Sequence, residues 1–240
     1  SRFGIDTRGV RRLSDFVDQR DFTAYSDVET KICDNPVATY ANHGLAFPKT
    51  LLGYSPAAAQ LDSRSRPSLM TIRQSDLPGD YFDATAAHIC PLDYLSHTLL
   101  PPTLRGGNIN TITLDAGEGY MDPSFFDDIQ VIVNGLTAFL SNEIKTARLF
   151  KGRSVDLWEM AETLAGMGCD LIVIKRGAAG QYLYDRGARK RWIIPAYPAQ
   201  VYSLAGAGDA FCGGFLTGLR ASYDPLTAVL QGNISASFIL

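Results

Sequence analysis

The chain has 240 residues, of which 46% are hydrophobic and 20% are charged, a composition typical of one globular α/β domain. The net charge of −3, without a polybasic run, argues against a nucleic-acid partner, and no apolar stretch approaches the ~20 residues that span a membrane. The four cysteines form no Cys-x-x-Cys pair and have no metal-ligand spacing with the three histidines, which predicts reduced thiols, a cytoplasmic location and no cysteine–histidine metal site.

The first 54 residues carry the weakest pattern. Residues 23–26 and 37–40 have the composition of strands, whereas the polar, proline-bounded segment 62–67 is typical of a loop. The chain opens on Ser1 without a methionine and stops within an apolar run typical of a helix, so we expect both ends to be incomplete. The informative part of the sequence begins after residue 54.

From about residue 83 onwards, segments typical of strands alternate with segments typical of helices. Apolar and β-branched runs predict buried strands at residues 84–90, 110–115, 137–140 and 170–175. Gly177 and Gly180 then allow a tight turn from the last of these into a further strand. The alternation predicts a mostly parallel sheet with helices on both faces.

The helices are predicted from apolar spacing. Residues 92–99 and 154–166 fit a helix, whereas residues 123–136 suit a helix or a strand, and the strand that follows favours a helix. Asp224 and Pro225 open a last helix, whose predicted core face is Leu226, Leu230 and Ile234.

Asp115 ends the predicted strand 110–115. Open α/β sheets bind ligands at the carboxyl ends of their strands, so this carboxylate is a candidate for a ligand site. An aspartate in that place is equally well explained as a turn residue. Both interpretations stay open on the sequence.

The most informative stretch is residues 203–215, Ser-Leu-Ala-Gly-Ala-Gly-Asp-Ala-Phe-Cys-Gly-Gly-Phe. Its small residues at 206–208 permit a turn whose N–H groups converge on an anion, and the apolar spacing that follows begins a helix. Asp209 stands beside that turn, where a carboxylate can take a proton from a hydroxyl group. The alternative is an ordinary tight turn, with Gly214 and Gly218 permitting close helix packing.

The run Gly-Ala-Gly-Asp-Ala-Phe-x-Gly-Gly-Phe is similar to the C-terminal signature of the ribokinase-like (PfkB) carbohydrate kinases. The resemblance implies a ribokinase-like fold, in which a small β lid covers the substrate, and an activity that uses ATP and Mg²⁺. It implies that Asp209 is the catalytic base. It also implies that the backbone N–H groups of Ala205, Gly206, Ala207 and Gly208 form an anion hole for the transferring phosphoryl group.

Two further segments resemble parts of the same family. Residues 141–147 resemble its Asn-Glu-x-Glu segment, which implies that Asn142 and Glu143 organise magnesium through water, although Lys145 stands at the second acidic position. A helix start with Ser141 as N-cap explains this segment equally well. Residues 175–180 resemble the family's Gly-x-x-Gly turn, which implies that Lys175, Gly177 and Gly180 line the nucleotide site, and a plain hairpin explains these glycines equally well.

The resemblance also implies a division of the chain and a function. Residues 1–54 would hold part of the lid and the end of an N-terminal core, residues 55–240 would form the α/β core, and the lid would serve for a homodimer. The predicted function is ATP-dependent phosphorylation of an alcohol group on a small metabolite, a sugar in the first instance. The alternative is a catalytically impaired ligand-binding or regulatory protein of the same fold, because Ser203 replaces the family's usual aspartate and Lys145 its second acid.

Overall fold

The computed structural model describes residues 4–13, 20, 22–25, 31–32, 35–54 and 61–240. The chain divides into two compact units, one made of residues 1–11 with 61–240 and the other of residues 12–60. In the described part of the chain, no helix is long and apolar enough to cross a membrane.

The smaller unit contains two short strands, one α-helix and a 3-10 turn, Lys49–Leu51, among its described residues. Strand β1, Ala24–Tyr25, pairs antiparallel with β2, Lys31–Ile32, and helix α1 spans Pro36–Asn42. The strand predicted at residues 23–26 is confirmed at its two central positions, and Ser26 lies outside the described residues.

The strand predicted at residues 37–40 is wrong, because these residues belong to α1. The Asn35 side chain accepts a hydrogen bond from the Ala38 N–H at 3.1 Å, and Pro36 occupies the first turn, so both helix-start signals act here. The assignment of residues 1–54 to a lid, and of the lid to a dimer, stays a prediction.

The larger unit is built on one sheet, to which six strands of the described residues belong in the order β3-β4-β5-β6-β7-β8. Strands β3 to β6 run parallel, whereas β7 and β8 are antiparallel additions at one side. Their bounds are Ala86–Ile89, Thr111–Asp115, Ala138–Asn142, Leu171–Lys175, Gln181–Asp185 and Lys190–Ile194. The predicted mostly parallel sheet and the hairpin after residue 175 are confirmed.

Helices cover both faces of this sheet, as predicted. The helices are α2 to α7, spanning Tyr94–Arg105, Ile129–Val133, Glu143–Leu149, Leu157–Gly166, Ala207–Ser222 and Pro225–Ser237. Alternate strand residues enter opposite cores: Ile172 and Ile174 join the core with α2 to α5, and Val173 joins the core with α6 and α7.

Two predicted helices differ from the structure in extent. Helix α2 continues to Arg105 although Pro101 and Pro102 lie inside it, because its buried face packs on the sheet and outweighs the lost backbone hydrogen bonds. The segment 123–136 is broken into a 3-10 turn, Pro123–Phe125, and the short helix α3.

The predicted buried face of α7 is wrong at two of its three positions. Leu230 and Ile234 are 51% and 43% exposed, whereas Leu226 packs against the core. The stripe of α7 that packs against α6 is a different one and contains Ala228, Val229 and Gly232. Small residues make that stripe, which apolar spacing alone does not reveal.

The contact between α6 and α7 has no room for side chains at two positions of α6. A Cβ atom at Gly214 would lie 2.6 Å from the Gln231 carbonyl oxygen, and one at Gly218 would lie 2.9 Å from the Ala228 Cα. The packing role that the sequence allowed for these glycines is therefore confirmed. At the far end of α6, the Arg220 guanidinium donates to the Thr85 hydroxyl at 3.2 Å and ties this helix to the sheet.

We predict opposite effects of alanine at the neighbouring glycines 213 and 214. Gly214→Ala forces α6 and α7 apart and lowers the free energy of unfolding by about 1–3 kcal/mol. Gly213 is exposed, with no atom of the described residues within 4 Å of an added Cβ, so Gly213→Ala raises it by about 0.5–1 kcal/mol through helix propensity. Urea unfolding of both variants measures the two effects. Equal effects would contradict this account of the packing.

Candidate active site

The N-terminus of α6 lacks the side-chain cap that begins five of the six other α-helices in the described part of the chain. Helices α1, α2, α4, α5 and α7 begin at side chains that accept a hydrogen bond from their first turn, namely Asn35, Asp93, Asn142, Asp156 and Asp224. Helix α6 begins at Gly206, in the left-handed region at φ 82°, and no described side chain caps it. Its first N–H groups therefore face outward with the positive end of the helix dipole.

Of the four predicted anion-hole residues, two have N–H groups that are already used within the chain. The Ala205 N–H donates to the Ser203 hydroxyl at 3.2 Å, and the Ala207 N–H donates to the Leu204 carbonyl at 3.4 Å. The N–H groups of Gly206 and Gly208 have no acceptor among the described residues. The turn thus offers these two donors to a ligand.

Asp209 lies in the first turn of α6 and is exposed. Strand β3 ends close to it. Partial desolvation raises the pKa of the Cys90 thiol, although the residue is exposed, and the charges of Asp209 and Asp115 raise this pKa further. Burial lowers the pKa of His88, although the same two carboxylates oppose that shift. The carboxylate of Asp209 is therefore exposed and lies within electrostatic range of His88 and Cys90 at the end of β3.

A buried ion pair lies beside the same turn. The Lys175 ammonium group, at the end of β6, is 2.8 Å from Asp115 Oδ2, at the end of β4. Burial alone would lower the pKa of Lys175, but the charge of Asp115 and a contact with Cys212 raise it above its usual value, so the ammonium group stays charged. A Cβ atom at Gly208 would lie 3.7 Å from Lys175 Nζ, which places this charge against the α6 turn.

The Cys212 thiol completes this group. Its Sγ atom accepts a hydrogen bond from Lys175 Nζ at 3.5 Å, and burial raises the pKa of the thiol to about 12, so it stays neutral. Sequence reasoning left Asp115 between two interpretations and gave Cys212 no role in a site. The carboxyl-edge position of Asp115 was the available signal, whereas the approach of α6 to β4 has no sequence pattern.

The predicted magnesium residues lie one strand away. Asn142 ends β5, its backbone is in register with Lys175 of β6, and its Oδ1 accepts from the Lys145 N–H at 2.8 Å. Asn142 rather than Ser141 is the N-cap of α4, so the prediction of Ser141 as the cap is wrong. Glu143 Oε2 is 3.1 Å from Arg176 Nε, and the Lys145 ammonium donates to the Ala116 carbonyl at 2.8 Å.

Gly177 and Gly180 form the turn between β6 and β7. Both have positive φ, 55° and 83°, and a Cβ atom at Gly180 would lie 2.1 Å from the Ile194 carbonyl oxygen. The hairpin that the sequence allowed is confirmed and is sufficient to explain both glycines. Their role beside a nucleotide stays a prediction.

These groups share one edge of the sheet, where β4, β5 and β6 end at Asp115, Asn142 and Lys175 and where α6 begins. That edge is where open parallel sheets bind ligands. A family model, described as pfkB family carbohydrate kinase, matches residues 117–240 of the chain. The chain belongs to the pfkB family of carbohydrate kinases. The prediction of that family from residues 206–215 is confirmed.

Three relatives show how far the similarity extends. The chain is 32% identical to the cytidine kinase of Thermococcus kodakarensis over 144 residues, which cover 59% of this chain and 50% of that protein. It is 35% identical to the 5-dehydro-2-deoxygluconokinase of Bacillus subtilis over 82 residues, which cover 34% of this chain and 25% of that protein. The chain thus spans half or less of the length of these two pfkB proteins.

The third relative is a solved structure, a putative ribokinase II from E. coli in complex with ATP and Mg²⁺. Its TM-score is 0.55 at 17% identity, and the match covers 69% of this chain and 55% of that one. The likeness confirms the predicted ribokinase-like fold.

We predict that the two open glycines of the pfkB turn respond differently to alanine. Gly206→Ala lowers the free energy of unfolding by about 1–2 kcal/mol, because a side chain is strained at positive φ. Gly208→Ala leaves this free energy unchanged or raises it by up to about 1 kcal/mol, since position 208 has helical geometry and, among the described residues beyond its own helix turn, the new methyl group meets Lys175 Nζ alone, at 3.7 Å. Thermal and urea unfolding test this, and a large loss of stability in Gly208→Ala would contradict the described turn.

Proposed function

We propose that the protein transfers the γ-phosphoryl group of ATP to an alcohol group of a small metabolite, a sugar or a molecule that carries one. One observation carries this proposal: an exposed carboxylate, Asp209, stands in the first turn of a helix whose Gly206 and Gly208 N–H groups lack acceptors among the described residues. A base beside an anion hole is the arrangement that transfer to a hydroxyl group needs. The family and the kinase names of the two sequence relatives support it.

In this mechanism the residues of the chain position the reactants and hold charge. The alcohol oxygen attacks the γ-phosphorus while its proton passes to Asp209, and the bond from phosphorus to the β–γ bridging oxygen breaks to release ADP. The N–H groups of Gly206 and Gly208 donate to the equatorial oxygens of the group in transfer. Most of the rate comes from such positioning and charge stabilisation, since phosphoryl transfer needs little covalent help from the protein.

ATP and Mg²⁺ are the proposed cofactors. The open N–H groups and the Lys175 ammonium suit a polyphosphate, and the ribokinase II relative holds ATP and Mg²⁺. Mg²⁺ supplies the positive charge that ATP needs during transfer. Asn142 and Glu143 are proposed to organise it through water, with Gly177 and Gly180 beside the nucleotide. In the structure Asn142 caps α4 and Glu143 is paired with Arg176, so water bridges fit them better than direct ligation.

The remaining proposals concern the protein as a whole. A lid within residues 1–54 that covers the substrate, a homodimer formed through it, and a cytoplasmic location stay predictions from the sequence. The alternative of an impaired, ligand-binding relative rests on Ser203 and Lys145. Both side chains have structural roles here: the Ser203 hydroxyl accepts from the Ala205 N–H, and the Lys145 ammonium donates to the Ala116 carbonyl. The carboxylate of Asp209, the proposed base, is present in the first turn of α6.

We predict that Asp209→Asn lowers kcat by about 10²–10⁴-fold and leaves the Kd for ATP nearly unchanged. The substitution keeps the shape of the side chain and removes its ability to accept the proton. ADP release with the preferred alcohol gives kcat, and calorimetry gives the Kd. Asp127→Asn, at another exposed aspartate, is the matched control and should behave as the unchanged protein. Near-normal turnover of Asp209→Asn would exclude it as the base.

We predict that turnover depends on Mg²⁺. The charge of ATP must be neutralised during transfer, and removal of the metal should abolish ADP release until Mg²⁺ is restored. The assay screens sugars, nucleosides and sugar acids as acceptors and thereby identifies the substrate. Full turnover in excess EDTA would contradict the role of the metal. Binding of Mg²⁺–ATP without ADP release for any acceptor would favour the impaired relative.

A further inference from the structure

The Asp115–Lys175 pair is more deeply buried than the other ion pairs described above. The side chains of Asp115 and Lys175 are 6% and 15% exposed. A buried pair costs desolvation energy that its attraction offsets only in part, so apolar residues would serve a purely structural purpose as well. Its position at the carboxyl edge, against the first turn of α6, links it to the candidate site.

Asp115 is incompletely satisfied within the structure. Its Oδ2 atom accepts from Lys175, whereas its Oδ1 atom is buried and meets no donor in hydrogen-bond geometry among the residues that the structure describes, with the weak donor of the Cys212 thiol nearby. On the same face of β4, Thr113 contacts His88 at 2.8 Å and Thr111 contacts Arg220 at 3.4 Å, so the polar residues nearer the start of the strand are paired. The unsatisfied charge lies at the end of the strand that meets the site.

The hydrogen bonds of Lys175 indicate what this pair does. An ammonium group has three N–H donors. One donates to Asp115 Oδ2 and one to Cys212 Sγ, which leaves a third. The neighbouring Gly208 has no side chain, and even a methyl group there would lie 3.7 Å from Nζ, so an anion held by the Gly208 N–H comes within reach of this third donor.

We propose that Asp115 is a positioning residue, which fixes the Lys175 ammonium against the first turn of α6 so that its third N–H donates to the phosphoryl group in transfer. This inference rests on the proposed function. Asp115 touches neither substrate nor ATP and acts through Lys175 alone. Its own negative charge lies near the incoming phosphates, so the carboxylate helps only while the lysine is present and opposes anion binding without it.

The test is a cycle of substitutions at the two positions. Lys175→Met lowers kcat/KM for ATP by about 10²–10³-fold, as loss of a donor to a developing oxyanion does, and leaves the Asp115 charge unpaired. Asp115→Asn lowers kcat by about tenfold while the KM for ATP stays the same or falls, because position is lost and a repelling charge is removed. Lys175→Arg, which keeps a donor and a charge, should retain kcat/KM within about tenfold of the unchanged protein.

The double variant decides between a linked and an independent role. Asp115→Asn in the Lys175→Met background should raise kcat/KM at least about tenfold, since it removes the unpaired charge. The proposal would be overturned if the losses in kcat/KM of the two single variants multiplied in the double variant. It would also be overturned if Lys175→Met kept the kcat/KM of the unchanged protein. If Lys175→Met does not fold, the kcat and KM of Asp115→Asn decide: a raised KM with unchanged kcat overturns the proposal, and a lowered kcat with unchanged KM supports it.

Two control variants each remove one charge at a position away from the candidate site, a negative charge as in Asp115→Asn and a positive charge as in Lys175→Met. Asp170→Asn breaks the exposed pair with Arg186, and Lys190→Met acts on β8. Both positions lie at the opposite edge of the sheet, where Leu171, Asp185 and Lys190 are in register. These variants should keep kcat and KM unchanged, and thermal unfolding of every variant shows which losses reflect folding.

A binding measurement separates this inference from the proposed function. Calorimetry with inorganic tripolyphosphate should give a Kd in Asp115→Asn equal to or lower than in the unchanged protein, and at least about tenfold higher in Lys175→Met. If this order holds while no alcohol is phosphorylated, the proposed function fails and the placement of Lys175 at an anion site stands. If alcohols are phosphorylated but tripolyphosphate does not bind, or binds without this order, the inference about Asp115 is overturned.

Discussion

The open first turn of α6 is the constraint on which the rest of the site depends. Within the described ranges no side chain caps this turn and the N–H groups of Gly206 and Gly208 have no acceptor, so water or a ligand must satisfy them. Its location follows from packing: Phe211 and Phe215 are buried against the sheet, and the missing side chains at Gly214 and Gly218 let α7 hold α6 closely. The apolar contacts along one helix thus decide where an anion can bind at its end.

The buried polar groups under α6 follow a pattern that stability alone does not require. Strand β4 places Thr111, Thr113 and Asp115 on the face that α6 covers, where apolar residues would avoid the desolvation cost of buried polar groups. The threonines are paired with side chains, whereas Asp115 holds one bond to Lys175 and an oxygen without a partner in the described part of the chain. Strained or incompletely satisfied positions are expected where a chain serves chemistry as well as folding.

The two departures from the family pattern acquire a physical meaning in the structure. Ser203 accepts a hydrogen bond from the Ala205 N–H, which stabilises the turn before α6. Lys145 donates to the Ala116 carbonyl and lies 3.7 Å from Glu118, so it ties α4 to the loop after β4. Neither substitution removes the Asp209 carboxylate or the open donors at Gly206 and Gly208.

The sequence by itself determined the strand–helix alternation and the family, because apolar periodicity and the run at residues 206–215 are local patterns. It was wrong about residues 37–40, where the capping of α1 by Asn35 outweighs strand-like composition, and about the buried face of α7. Only the tertiary structure brought Asp115, Lys175 and Cys212 together, across 97 positions of chain from 115 to 212. No local pattern encodes that meeting, since it depends on the order of parallel strands and on the angle at which α6 crosses them.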